Sequence, residues 1–194
     1  MAKNSPVKES LPYSISKNIE SLGNRLSLAR KRRGHTLTEL ASMSSISKDT
    51  LIRLERGASS VGLSKLLSVL SSLDFPFPPD GTSQSFPWPN EGNKREYIKY
   101  SLSRIGSAIR GYRKARKITA KNLAAAIYIS PNTIYRIERG QDDPSLALTF
   151  MIFACLGQTE KLNGIAKFEE DRTGMILDRL KLNKIIRIRR KHHV

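Results

Sequence analysis

The chain has 194 residues, enough for one ordinary domain or two small ones, and its 39% hydrophobic and 26% charged composition is that of a globular protein. Its 34 Lys and Arg against 17 Asp and Glu leave a formal charge of +17. Such a surplus repels itself and calls for a polyanion, nucleic acid or an anionic membrane surface, which makes a balanced-surface metabolic enzyme the weaker fit.

Residues 1–14 are polar with two prolines and read as a flexible arm. Beyond them the chain repeats. Shifted by 83 residues, "LGNRLSLARKRRGHTLTELASMSSISKDTLIRLERG" (22–57) aligns without a gap on "IGSAIRGYRKARKITAKNLAAAIYISPNTIYRIERG" (105–140), with 14 of 36 positions identical, where chance gives about two. The spacing inside each copy is helical. Leu22, Leu26 and Ala29, and in the second copy Ile105, Ile109 and Tyr112, share one face of a first helix. Thr36 and Thr119 stand as N-caps before a short second helix that buries Leu40/Ala41 and Leu123/Ala124. Ser47 and Ser130 cap a third helix whose inward residues are Leu51/Leu54 and Ile134/Ile137, and Gly57 and Gly140 close it. A fourth carries Leu63, Leu67 and Leu70, matched by Leu146, Phe150 and Phe153. The expectation is an all-α chain of two tandem domains, each of four to five short helices, at 15–73 and 94–157.

The stretch between them, 74–93, holds five of the nine prolines and reads as a semi-rigid, extended linker. Cys155 lies in the apolar run 146–156, where it reads as a small core residue in a reducing cytoplasm; alone, it cannot form an internal disulfide. That run is shorter than the ~20 apolar residues of a membrane span, and the first ten residues lack the apolar stretch of a secretory signal. Residues 158–194 form a C-terminal extension that opens with a short helix and ends in a basic tail, Arg179 to Val194, free of acids. That tail permits three readings: a phosphate-following or minor-groove arm, an edge strand, or disorder. His192 and His193 have no Cys or carboxylate companions at ligand spacing, so no metal and no cofactor is expected.

Two short helices joined by about four residues, with Ala41 or Ala124 where they cross, describe a helix-turn-helix. Through "TLTELASMSSISKDTLIRLERG" and "TAKNLAAAIYISPNTIYRIERG" the chain resembles the lambda-repressor-like family, also called the XRE (Cro/C1-type) family. The resemblance implies that the third helix of each copy enters the DNA major groove. Its outward positions, Lys48, Asp49, Ile52 and Arg53, and Pro131, Asn132, Tyr135 and Arg136, then supply the candidate base readers Lys48, Asp49, Arg53, Asn132, Tyr135 and Arg136. Arginine reads guanine bidentately and asparagine reads adenine. Lys31, Arg33 and Arg56, with Lys114, Arg116 and Arg139, are placed for phosphates. Arg30 with Glu55, and Arg113 with Glu138, each pair 25 residues apart, stand where similar folds have a structural ion pair.

Departures matter too. The glutamine that commonly follows the N-cap threonine is Leu37 and Ala120, and the glycine common in the helix-2 to helix-3 turn is Ser45 and Tyr128. The function implied is a sequence-specific double-stranded DNA-binding transcriptional regulator, in this family more often a repressor, located in the cytoplasm and on the nucleoid rather than at a membrane. Because its two reading surfaces differ, an asymmetric site is expected if both heads bind at once; a homodimer would carry four heads. The alternative is an antitoxin. "RLERGASSVGLSKLLSVLSSL" and "EEDRTGMILDRLKLNK" are similar to parts of HipB-like partners of HipA-type kinases, so a toxin partner and autoregulation are the second reading. No nucleophile-base arrangement or phosphate-cradling loop supports an enzyme.

Overall fold

The computed structural model describes residues 11–75, 93–166, 171 and 173–181; the linker expectation falls almost wholly on residues outside these, as does most of the basic tail. The first unit consists of α1 (Tyr13–Arg32), α2 (Leu37–Met43), α3 (Lys48–Glu55) and α4 (Leu63–Ser72), and the second of α5 (Lys94–Ala115), α6 (Ala120–Ala126), α7 (Pro131–Glu138) and α8 (Leu146–Cys155). A short α9 (Thr159–Asn163) and a helical segment at 173–181 follow. The first helix of each unit is longer than expected, at 20 and 22 residues, and α1 starts inside the stretch read as an arm.

Local chemistry sets each boundary. Thr36 Oγ1 accepts the Glu39 N–H at 3.2 Å while Glu39 returns a carboxylate to the Thr36 N–H at 2.7 Å, a complete capping box. These bonds hold the Glu39 carboxyl below its usual range. Thr119, Ser47 and Ser130 cap α6, α3 and α7 by accepting the N–H of Asn122, Thr50 and Thr133, without a return bond. At the far end of α3 the Gly57 N–H donates to Leu54 O and the Ala58 N–H to Arg53 O, with Gly57 at φ +74°; Gly140 and Gln141 repeat this after α7. The turn before each third helix closes with the same bonds, but on Ser45 and Tyr128, at φ +53° and +55°.

Leu22, Leu26, Leu40, Leu51 and Leu54 are buried around the first core, and Ile105, Ile109, Leu123, Ile134 and Ile137 around the second. Each fully buried aliphatic contributes about 1.5–3 kcal/mol. A pair that sequence reading passed over sets the crossing angle: a methyl group on Gly23 would lie 2.6 Å from Glu55 O, and Gly106 faces the end of α7 just as closely. The first helix therefore rests directly on the last turn of the third. Cys155, expected in the core, is exposed, because α8 buries Ile152 and Phe153 and turns its final residues outward. The residual contact with protein pushes its thiol up.

The two units are not separate beads. α4 packs on α5 and α1 on α8, so the buried residues form one continuous core. Between them Gly62 and Ser145, equivalent positions of the repeat, form an antiparallel bridge: the Leu63 N–H donates to Pro144 O at 2.8 Å and the Leu146 N–H to Val61 O at 2.8 Å. Each bond is the image of the other under a shift of 83 residues, so the units are related by a pseudo-two-fold axis through this bridge.

Candidate DNA interface

α3 and α7 present the same strip. Leu51 and Leu54, or Ile134 and Ile137, face inward, which leaves Asp49, Arg53 and Arg56 exposed at positions four and three residues apart, matched by Asn132, Arg136 and Arg139. Lys48 and Tyr135 are exposed beside these strips. Both third helices begin at a capped N-terminus whose free amides favour anionic oxygen.

Each strip is held from behind by a buried ion pair. Arg30 Nε and Nη2 donate to the two carboxylate oxygens of Glu55 at 2.7 and 2.9 Å, and Arg113 does the same to Glu138 at 2.5 and 3.0 Å. The remaining Nη1 donates to His35 O in one unit and Ile118 O in the other, both at 2.9 Å. One arginine thus ties the end of the third helix to the loop that starts the second helix. The carboxylate hydrogen bonds hold both guanidinium groups above their usual range. In each unit the arginine and the glutamate neutralise one another.

The exposed arginines differ. Arg53 donates to Ser60 Oγ at 2.8 Å, a neutral partner, whereas Arg136 is ion-paired with Asp142 at 3.5 Å. Asp142 and Asp143 stand, at the same 83-residue offset but just beyond the aligned stretch, where the first copy has Ser59 and Ser60. The second head therefore carries an acid at its rim that the first lacks.

The phosphate set needs one correction. Lys31, Arg56, Lys114, Arg116 and Arg139 are exposed, but Arg33 is not available: its side chain is 5% exposed and lies over the Phe75 ring, with Nη2 2.8 Å from Asp171 Oδ1. Arg32 shares the same carboxylate at 3.4 Å and reaches Asp178 at 3.2 Å. Asp171, 2% exposed, also accepts the Gly174 N–H at 2.9 Å, and Lys181 Nζ donates to Arg32 O at 2.6 Å. Half of the "RKRR" run thus fastens the C-terminal extension to the end of α1. A single acid 138 residues away gave no local signal of this.

The sequence model of the Helix-turn-helix family matches residues 26–78 and again 109–157, more than half of the chain. The chain belongs to this family, in its XRE or lambda-repressor-like form, as two tandem copies of a DNA-binding transcriptional regulator fold. Among curated proteins and among solved structures, nothing matches it. No helix among the described residues is long and apolar enough to cross a membrane.

Proposed function

We propose that the protein is a sequence-specific double-stranded DNA-binding repressor that reads the major groove with two non-identical helices. The observation that carries this reading is the exposed strip Asp49, Arg53 and Arg56 on α3, reproduced as Asn132, Arg136 and Arg139 on α7. Arg53 and Arg136 read guanine, Asn132 reads adenine, and Lys48, Asp49 and Tyr135 complete the base-facing surfaces. Lys31, Arg56, Lys114, Arg116 and Arg139 grip phosphates. A molecule seated across two turns of groove represses by occupying the duplex.

Selection from randomised duplex, followed by footprinting, tests this. Arg53→Ala and Arg136→Ala should each lower affinity for the selected site by about 5- to 150-fold, corresponding to the ~1–3 kcal/mol of one bidentate base contact, and leave affinity for random DNA nearly unchanged. Equal losses on both would reassign these arginines to phosphates, and a flat salt response would end the DNA reading.

A second reading, capture of a toxin or another protein partner, is favoured by one feature. Ile176 and Leu180, one helical turn apart in the 173–181 segment, are 61% and 58% exposed, with Met175 beside them. Co-purification of a partner that is lost in Ile176→Asp would support it.

A further inference from the structure

The bridge between the units obeys the pseudo-two-fold axis in its backbone and breaks it in one side chain. On one side the Ala147 N–H donates to Ser59 O at 2.9 Å. On the equivalent side the Ser64 N–H instead meets the carboxylate of Asp143, at 2.7 Å, and Ser64 Oγ donates to the other oxygen at 2.6 Å. The helices behind these groups differ to match. α8 is capped by its own Ser145, whereas α4 starts at Gly62 and has no side-chain cap of its own. Asp143 of the second unit therefore caps α4 of the first. Gly62 is the condition for this, since a methyl group there would lie 2.6 Å from Asp143 Oδ2.

The key works for unlike units only. Two first units would bring Ser60 to Gly62 and leave both fourth helices uncapped; two second units would drive Asp143 into the side chain of Ser145. The joint also bounds the distance between the heads. Arg53 O accepts from Ala58, Ala58 O from Val61, Val61 O from Leu146, and Arg136 O from Gln141. Each such bond holds two Cα atoms within about 7 Å and each intervening residue adds at most ~3.6 Å, so the Cα atoms of Arg53 and Arg136 lie within about 45 Å. Of whole-turn spacings on duplex DNA, one turn at ~34 Å fits and two turns at ~68 Å do not.

We infer that Asp143 is a positioning residue that acts with the backbone bridge to hold the two reading helices at one separation, and that the ligand is a duplex carrying two inverted, non-identical half-sites one helical turn apart. The inference rests on the DNA-binding reading above. The lock turns the second contact into an intramolecular event of fixed geometry, so the affinity gained over a single half-site depends on spacing.

The test uses the full chain and a duplex selected from a random pool, with derivatives in which the half-sites are separated by a further half turn or only one is kept. The wild type should lose at least about tenfold on the half-turn insertion. Asp143→Ala should bind the single half-site as the wild type does, but its insertion penalty should shrink to about threefold or less, and Asp143→Asn, which keeps the acceptor, should restore the wild-type penalty. Gly62→Ala, which expels the carboxylate by steric contact while leaving residue 143 an aspartate, should reproduce Asp143→Ala. An insertion penalty that is the same in the wild type and all three variants would overturn the role of Asp143. Selected sites with one half-site, identical half-sites or variable spacing would overturn the ligand assignment. If no duplex is enriched at all, the DNA reading itself has failed.

Discussion

Tyr128 shows how much one residue can depart from a family pattern. It sits at φ +55° in the turn before α7 with 85% of its surface exposed, so it bears the cost of a left-handed backbone and recovers nothing by packing. That conformation costs a non-glycine residue about 1–2 kcal/mol, partly offset by the chain entropy a glycine would lose. Tyr128→Gly should therefore raise the melting temperature by a few degrees, read by calorimetry, with the helical signal unchanged. This was legible beforehand, because the repeat puts Ser45 and Tyr128 where the turn wants glycine. The burial of Arg33 was not. In sequence it is one of four consecutive basic residues, and only the fold shows that its head reaches Asp171 rather than solvent.

At the scale of elements, the relation between first and third helices is set by Gly23 and Gly106 in the crossing and by the two buried arginine–glutamate pairs beside it. Removing one partner of a buried pair leaves an uncompensated charge and costs about 3–5 kcal/mol. Glu138→Ala should lower the unfolding free energy, read from urea melts, by that amount, while Arg113→Met combined with Glu138→Leu should recover most of it. The recovery will be incomplete, because Arg113 also satisfies Ile118 O at the start of the second helix. A double variant as unstable as the single one would show that the loop bond, rather than the carboxylate, carries the stability. These pairs were expected at a distance of 25 residues through the resemblance to similar folds. Their cap-to-loop function appears only with the third hydrogen bond of each guanidinium.

For the whole molecule, the C-terminal extension acts as a clasp from beyond the second unit onto the first. Burial works against ionisation of Asp171, but the Arg33 hydrogen bonds, the Gly174 N–H and the Arg32 contact prevail and hold its carboxyl below the usual range. A carboxyl depressed in the folded state contributes stability that is complete above its unfolded value and is lost as pH falls through the folded one. Thermal melts of the wild type and Asp171→Asn should therefore differ most at neutral pH and converge in acid. A gap that stays constant to pH 3 would mean that shape, not charge, holds the clasp.

The sequence by itself determined the local structure: an 83-residue repeat, caps at Thr36, Ser47, Thr119 and Ser130, glycine stops at Gly57 and Gly140, and exposed polar strips on the third helices. These follow from residue periodicity and from bonds that span at most a few positions, so they are written in order along the chain. The tertiary structure alone decided that the units share one core about a pseudo-two-fold axis, that Asp143 caps a helix 79 residues away, and that Arg33 faces inward. Each of these is a contact between distant segments, chosen by shape and burial rather than by neighbours in sequence. The Pro-rich connection suggested two heads on a long tether; the bridge at Gly62 and Ser145 makes them one body.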